Sequence, residues 1–241
     1  MTIRKILLAM IFFASCLSKQ LNAQQPMNSG ETLDRKQQSL VAISALTANG
    51  NLVPLKQALA KGLDAGLTVN KIKEALVHLY AYCGFPRSIR GLQTFMSVLA
   101  ERKSKGINDI LGAEPSPVQD QRSKYDRGKE ILEKLTGVQQ QSSQTGYSAF
   151  APAIDTFLKE HLFADIFERD ILSFTERELV TVSVLGSLDG VEPMLQAHLN
   201  ICLNVGLTPN QLKQFVSILK ATSGDNKAQV ATSVLDQVLK K

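Results

Sequence analysis

The chain contains two copies of one sequence segment, and this repeat constrains its fold more than any other feature. Residues 33–79 align with residues 172–219, at an offset of 139 in the first part and 140 in the rest, so one inserted residue separates the copies. Self-similarity at a nearly fixed offset is typical of a repeated structural unit. The sequence therefore predicts two related units in one chain.

The start of the second copy has the signals of a helix N-terminus. Ser173 and Glu176 form a capping box, and Thr175 and Glu178 form a second one that overlaps it. A hydroxyl at the N-cap and a glutamate three residues later satisfy two backbone N–H groups that the first helical turn leaves unpaired. We expect the first helix of this copy to begin here and to end at Leu185.

Two further helices are expected in each copy. Pro193 fits a first helical turn, Gly206 fits the left-handed residue after a helix end, and Thr208 fits the N-cap of a third helix. No stretch alternates apolar and polar residues between hairpin turns, so the fold class is predicted to be all-α. The first copy has the same residue types at matching places: Pro54, Gly66 and Thr68.

The repeat also sets the expected domain boundaries. The first unit is placed at 31–111, a connector at 112–150 and the second unit at 151–240. Within the connector, an amphipathic segment predicts a helix over 125–135, and a polar stretch at 139–146 reads as a linker. A further helix is expected from about residue 153 to 167.

Residues 1–23 have the pattern of a secretory signal peptide. A positively charged start precedes an apolar run at 6–17, and small residues precede Gln24. Such a run is too short for a permanent membrane span, and cleavage before Gln24 would give a periplasmic or secreted protein. Cys16 offers a lipoprotein anchor as a minor alternative.

Charge and cysteine content exclude several classes of protein. The formal net charge is +5, and removal of 1–23, which has three basic residues and no acidic one, leaves +2. No basic run with interleaved aromatic residues appears, so we expect no nucleic-acid partner, and no apolar run predicts an integral membrane span. Two cysteines remain, Cys83 and Cys202, and the sequence leaves their pairing open.

Several short motifs, taken in order, resemble the carboxymuconolactone decarboxylase family. The resemblance implies an all-helical fold of two tandem carboxymuconolactone decarboxylase-like, alkylhydroperoxidase D-like units. It also implies a ring-shaped homo-oligomer, which for a doubled chain is a trimer. The motifs are Tyr125-x-Arg127-Gly128, Phe163-Ala164-Asp165-x-Phe167-x-Arg169, Arg177-Glu178-Leu179, Ala197-His198, Asn204-x-Gly206-x-Thr208 and His78-Leu79-x-Ala81-Tyr82-x-Gly84-Phe85-Pro86.

The family includes lactone decarboxylases and thiol peroxidases of the alkylhydroperoxidase D type, which use a Cys-x-x-Cys pair before a histidine. Here the two positions hold Val191 and Met194 before His198, and Asn51 and Pro54 in the first copy. These side chains can neither form a thiolate nor resolve an oxidised sulfur. The dithiol mechanism is therefore excluded at both places.

Each copy retains residues that the other has lost. Glu178 and His198 of the second copy correspond to Ser39 and Ala58, whereas His78 and Tyr82 of the first copy correspond to Ile218 and Thr222. Either the Glu178/His198 front of the second copy meets the His78/Cys83 back of the first in one pocket, or both sites have decayed.

The leading hypothesis is an enzyme in which His198 and Glu178 transfer protons on a small lactone or carboxylated substrate, because a carboxylate beside an imidazole is a suitable acid–base pair. The alternatives are a peroxiredoxin-like activity of Cys83 alone and a non-catalytic oligomer that binds a ligand. His78 is a further catalytic candidate, or a structural residue.

Arg87 and Arg90 lie one helical turn apart, where they would hold a substrate carboxylate or simply be solvated. The three histidines of the chain show no metal-ligand spacing, and no phosphate-binding or dinucleotide motif is present. We therefore expect no metal and no cofactor.

Overall fold

A computed structural model describes residues 31–140 and 145–240, and none of these residues lies in a β-strand. The expected signal peptide at 1–23, including Cys16, and part of the expected linker fall outside the described residues. In chain order the helices are α1 (Arg35–Asn49), α2 (Leu52–Asp64), α3 (Val69–His78), α4 (Tyr80–Ser104), α5 (Lys124–Thr136), α6 (Gly146–Phe150), α7 (Pro152–Thr156), a π-helix (Phe157–Ile166), α8 (Phe174–Leu185), α9 (Glu192–Asn204), α10 (Pro209–Ser223) and α11 (Asp225–Leu239). The all-α prediction is confirmed.

The predicted caps account for the starts of the repeat helices. Ser173 and Glu176 form a complete capping box at α8, and Thr208 forms one at α10. Thr68 caps α3 in the first copy. The second expected capping box does not form, because the Thr175 hydroxyl donates instead to the carbonyl of Val205. Local side-chain chemistry therefore decides where these helices begin.

A glycine with a positive φ interrupts the helical backbone at the same place in each copy. Gly84 has φ 80° and ψ 160°, and Gly224 has φ 91° and ψ 172°. This backbone region is favourable for glycine and strained for other residues. The pair α3 and α4 therefore corresponds to α10 and α11.

The two units share their core through α1 and α8, which pack against each other. Val180 and Val184 of α8 are buried in the cluster built mainly from the first unit. Val41 and Ala45 of α1 are buried in the cluster built mainly from the second. Each unit thus contributes a central helix to the core of the other.

The connector helix expected over 125–135 is α5, and it packs against the π-helix. Gly128 lies so close to this helix that a Cβ there would come within 1.8 Å of the carbonyl oxygen of Lys159. The helix expected over 153–167 is present as α7 followed by the wider π-helix. Together α5 and the π-helix cover apolar residues of both units, among them Tyr82 and Ile201. Within the described residues, no helix is both long and apolar enough to span a membrane.

Candidate active site at the junction of the two repeats

Glu178 and His198 form a hydrogen-bonded pair at the centre of the candidate site. Glu178 lies on α8 and is completely buried, whereas His198 lies on α9 and keeps 15% of its side chain exposed. His198 Nδ1 lies 2.8 Å from Glu178 Oε2. A carboxylate at Nδ1 holds a proton on that nitrogen and leaves Nε2 as the nitrogen available for proton transfer.

Two buried oxygen atoms of the site have no hydrogen-bond partner of good geometry among the described residues. They are Glu178 Oε1 and the hydroxyl of Tyr82. The Tyr82 ring meets the His198 ring edge-on, with centroids 5.7 Å apart. Burial, reinforced by the charge of Glu178, raises the pKa of Tyr82, although Thr181 beside the hydroxyl and the charge of Arg177 oppose the shift, so the side chain stays a phenol. Unsatisfied buried polar atoms are rare in folded proteins and gather at sites that bind something else.

The His78 ring lies against the Tyr82 ring. Both ring nitrogens of His78 have hydrogen-bond partners. Nε2 lies 2.9 Å from Thr181 Oγ1, and Nδ1 lies 3.2 Å from a guanidinium nitrogen of Arg177. Burial, followed by the charge of Arg177, lowers the pKa of His78 well below its usual value. The ring is therefore neutral, accepting from Arg177 and donating to Thr181, which leaves no nitrogen for a substrate.

Arg177 connects the two units from a fully buried position. One of its nitrogens donates to Glu74 of α3 at 2.8 Å and also to the carbonyl of Arg169. Arg169 forms a bidentate pair with the same Glu74 carboxylate at 2.9–3.0 Å. Burial lowers the pKa of Arg177, while the pairing with Glu74 opposes that shift. This network fixes the start of α8 against the end of α3, and so positions Glu178 relative to His78.

The front of the second copy and the back of the first thus meet in one place. Glu178 and His198 come from the second copy, and His78 and Tyr82 from the first. Their counterparts also lie together, lining one open cavity of about 460 Å³ elsewhere on the molecule: Ser39, Ala58, Ile218 and Thr222. The fold therefore forms two composite sites, and all four replacements fall in the second.

The other predicted site residues lie apart from the pair. Arg87 packs its guanidinium over Gly50, and Arg90 donates to Gln93 at 2.7 Å. Neither arginine forms a hydrogen bond or ion pair with Glu178 or His198. The expectation that they hold a substrate carboxylate stays a prediction.

Neither cysteine presents a thiolate. Cys83 is half-buried and its Sγ donates to the carbonyl of Leu79 at 3.2 Å. Burial raises its pKa to about 11, although Arg87 opposes the shift. Cys202 is fully buried, and burial together with the charge of Glu178 raises its pKa well above the usual value. Both thiols are free of disulfides.

Sequence reasoning did not identify Glu74, Thr181 or Arg177 as parts of the site. Arg177 stood in one of the quoted motifs, and that motif was the signal that could have identified it. Glu74 carries no such signal, because only the packing of α3 on α8 gives it a role. Within the described residues, no group of three His, Cys, Asp or Glu side chains is arranged to hold a metal ion.

Comparisons with known proteins agree with this architecture. A 4-carboxymuconolactone decarboxylase of Acinetobacter baylyi is 26% identical over 118 residues, which cover 48% of this chain and 87% of the relative. An uncharacterized protein of Methanocaldococcus jannaschii is 27% identical over 81 residues, covering 34% of this chain and 76% of the relative. The model of the Carboxymuconolactone decarboxylase family matches residues 22–95 and 152–237, which together make up more than half of the chain. This chain belongs to the carboxymuconolactone decarboxylase family.

Proposed function

We propose that the protein is an enzyme that transfers a proton on a small lactone or carboxylated substrate through His198, assisted by Glu178. The observation that carries the proposal is the pair itself. A buried carboxylate holds one imidazole nitrogen at 2.8 Å, and the histidine side chain remains partly exposed. An imidazole oriented in this way is suited to deliver or remove a proton at its free nitrogen.

The two buried oxygen atoms that lack a hydrogen-bond partner among the described residues also support the proposal. A substrate seated against His198 would meet the Tyr82 hydroxyl, which can donate one hydrogen bond, and Glu178 Oε1, which can accept one. Both atoms are already removed from water in the free protein. A hydrogen bond with the substrate therefore adds no further desolvation cost for them. His78, with both nitrogens engaged, acts in this proposal as a positioning residue for Tyr82.

The similarity to the 4-carboxymuconolactone decarboxylase of Acinetobacter baylyi supports decarboxylation of a carboxylated lactone as the reaction class. In such a step the bond between the ring carbon and the carboxylate breaks, and CO₂ leaves without the electron pair. The electron pair of the broken bond remains on the carbon or its conjugated carbonyl and takes up a proton from Nε2–H of His198. A proton from solvent then restores His198, so that overall the carboxylate is lost as CO₂ and one solvent H⁺ takes its place on the carbon. Glu178 stabilises the imidazolium that donates the proton.

The test is CO₂ release from a panel of carboxylated lactones that includes 4-carboxymuconolactone. We expect His198→Ala and Glu178→Gln to lower kcat by at least about 100-fold, the range usual for a general acid. The matched control is His161→Ala, because His161 is exposed, bonds to Asp165 and meets the ring of Tyr80 rather than the Glu178–His198 pair. Unchanged kcat in His198→Ala would refute the assignment of the proton donor. No release by the unaltered protein from any member of the panel would refute decarboxylation.

Two further proposals rest on the sequence and the family alone. We propose that residues 1–23 direct export, so that the mature chain begins at Gln24 in the periplasm or outside the cell. We also propose a homotrimer of two-unit chains. N-terminal sequencing of the protein from cell fractions tests the first, with a start at the initiating Met in the cytoplasm as the contrary result. Light scattering tests the second, and a monomer mass at micromolar concentration would contradict it.

A further inference from the structure

The second composite site is an open cavity rather than a packed region. Its volume is about 460 Å³, within the range of pockets that bind small molecules. Ser39 and Ala58 line it from the first unit, and Ile218 and Thr222 line it from the second. These are the positions that Glu178, His198, His78 and Tyr82 occupy in the other site.

The replacements make most of the side chains in this cavity smaller and remove the groups that could transfer a proton. Serine replaces glutamate, alanine replaces histidine and threonine replaces tyrosine, so three of the four side chains are smaller. The Ser39 hydroxyl donates to the carbonyl of Arg35 at 2.8 Å, and the Thr222 hydroxyl donates to that of Ile218 at 3.0 Å. Both hydroxyl protons are thus engaged by the backbone. No acid–base pair remains, and the cavity is equipped to bind rather than to react.

The electrostatic character of the cavity has changed as well. Arg35 and Lys61 line it, no acidic residue does, and neither cation has a carboxylate within 4.0 Å among the described residues. The corresponding positions in the other site are Phe174 and Ile201, which pack in the apolar cluster under α5 and the π-helix. The second site thus has two cations without an ion pair among the described residues, at the positions where the other site has apolar residues packed under α5 and the π-helix.

We propose that this cavity is a second, non-catalytic site that binds a small organic anion with an apolar body. Arg35 and Lys61 would take the carboxylate, since two cations that form no ion pair among the described residues attract an anion and the guanidinium can bind it with two hydrogen bonds. The hydrocarbon part would lie on Ala42, Ala58 and Ile218, which line the cavity. This proposal does not depend on catalysis at His198.

The probe is benzoate, a carboxylate on an apolar ring, titrated into the purified protein and observed by calorimetry and by NMR of alanine methyl groups. We expect saturable binding, with shifts of the Ala42 and Ala58 methyl signals. The double variant Arg35→Gln/Lys61→Gln should weaken binding about tenfold, since each partly exposed charge contributes a few-fold. Lys134→Gln is the matched control, because Lys134 is an exposed lysine on α5, which contributes no residue to the cavity lining, and it should leave the affinity unchanged.

Neutral benzamide should bind at least about tenfold more weakly than benzoate, and inorganic phosphate should not compete, because it lacks the apolar body. His198→Ala separates the two sites: we expect it to retain benzoate binding. The proposal is overturned if benzoate does not bind, if Arg35→Gln/Lys61→Gln binds as well as the unaltered protein, or if binding is lost in His198→Ala. It is overturned as well if benzamide binds equally or phosphate displaces benzoate.

Discussion

Removal of the Tyr82 hydroxyl should make the protein more stable, although most core substitutions do the opposite. The hydroxyl is buried and has no hydrogen-bond partner of good geometry among the described residues, with Thr181 as its polar neighbour, so folding strips it of water with little compensation. An unsatisfied buried polar group costs about 1–3 kcal/mol. Tyr82→Phe keeps the ring contacts with His78 and His198 and deletes only this cost. We expect a gain of about 1–2 kcal/mol.

Tyr125 provides a control with the opposite sign. Its hydroxyl donates to Asp155 at 2.8 Å and accepts from Lys159 at 2.9 Å, so Tyr125→Phe deletes two hydrogen bonds to charged groups. Hydrogen bonds of this kind contribute about 1.5–3 kcal/mol. Tyr125→Phe should therefore destabilise the protein by about that amount.

Urea unfolding followed by circular dichroism measures both changes. With a slope of about 2 kcal/mol per molar urea, Tyr82→Phe should raise the midpoint by about 0.5–1 M and Tyr125→Phe should lower it. If the Tyr82 hydroxyl is reserved for the substrate, the more stable variant should also turn over more slowly, which is the usual trade-off at a functional site. A loss of stability in Tyr82→Phe would refute the argument, because it would mean that the hydroxyl has a partner in solution.

The remaining predictions concern the groups around the pair. Arg177→Met should destabilise the protein by about 1–3 kcal/mol in urea unfolding, because the buried Glu74 keeps only Arg169 as a charged partner and His78 Nδ1 loses its donor, and an unchanged urea midpoint would contradict this. Because burial lowers the folded-state pKa of His78, the unfolded chain binds the extra proton below pH 6.5. Stability should therefore fall as pH drops below that value, by at most about 1.4 kcal/mol per unit until the folded-state pKa is reached. His78→Gln should flatten this slope, and His161→Gln should keep it. Since the pKa of Cys83 is about 11, iodoacetamide at neutral pH should modify it at least about 100-fold more slowly than free cysteine, and equal rates would contradict its burial.

Most of the helical framework could be predicted from the sequence, because its signals are local. Ser173, Thr208 and Thr68 each cap a helix through a backbone group three residues away. Gly206 has the expected left-handed φ of 96° after α9. The π-helix was not foreseen, since its extra residue per turn follows from packing on α5 rather than from composition.

The site was only partly predictable, because its contacts join residues that are distant in the chain. Glu178 and His198 are 20 residues apart and were identified through the family resemblance. The contacts of His78 with Thr181 and Arg177 span 103 and 99 residues, and they depend on how α3 packs on α8. No local pattern shows that a histidine will be buried with both nitrogens engaged. Tertiary packing alone decides this.

The distribution of the replaced residues indicates which site the fold has kept. Each composite site takes its front from one unit and its back from the other. Loss of the front and the back of the same unit would therefore have damaged both sites. The observed combination, front of the first unit and back of the second, removes one site completely and leaves the other whole.

This division has a direct consequence for Tyr82 and His78, which lie outside the unit that carries the acid–base pair. Giving the first unit the residues of the second, with His78→Ile and Tyr82→Thr, should abolish turnover even though Glu178 and His198 are unchanged. Because the two substitutions also remove contacts with Arg177 and Thr181, circular dichroism and the urea midpoint must show a folded protein before turnover is compared. Tyr82→Phe serves as the reference, since it keeps the ring and loses only the hydroxyl. Full turnover in the folded double variant would mean that the second unit forms the site alone, and the composite interpretation would then be wrong.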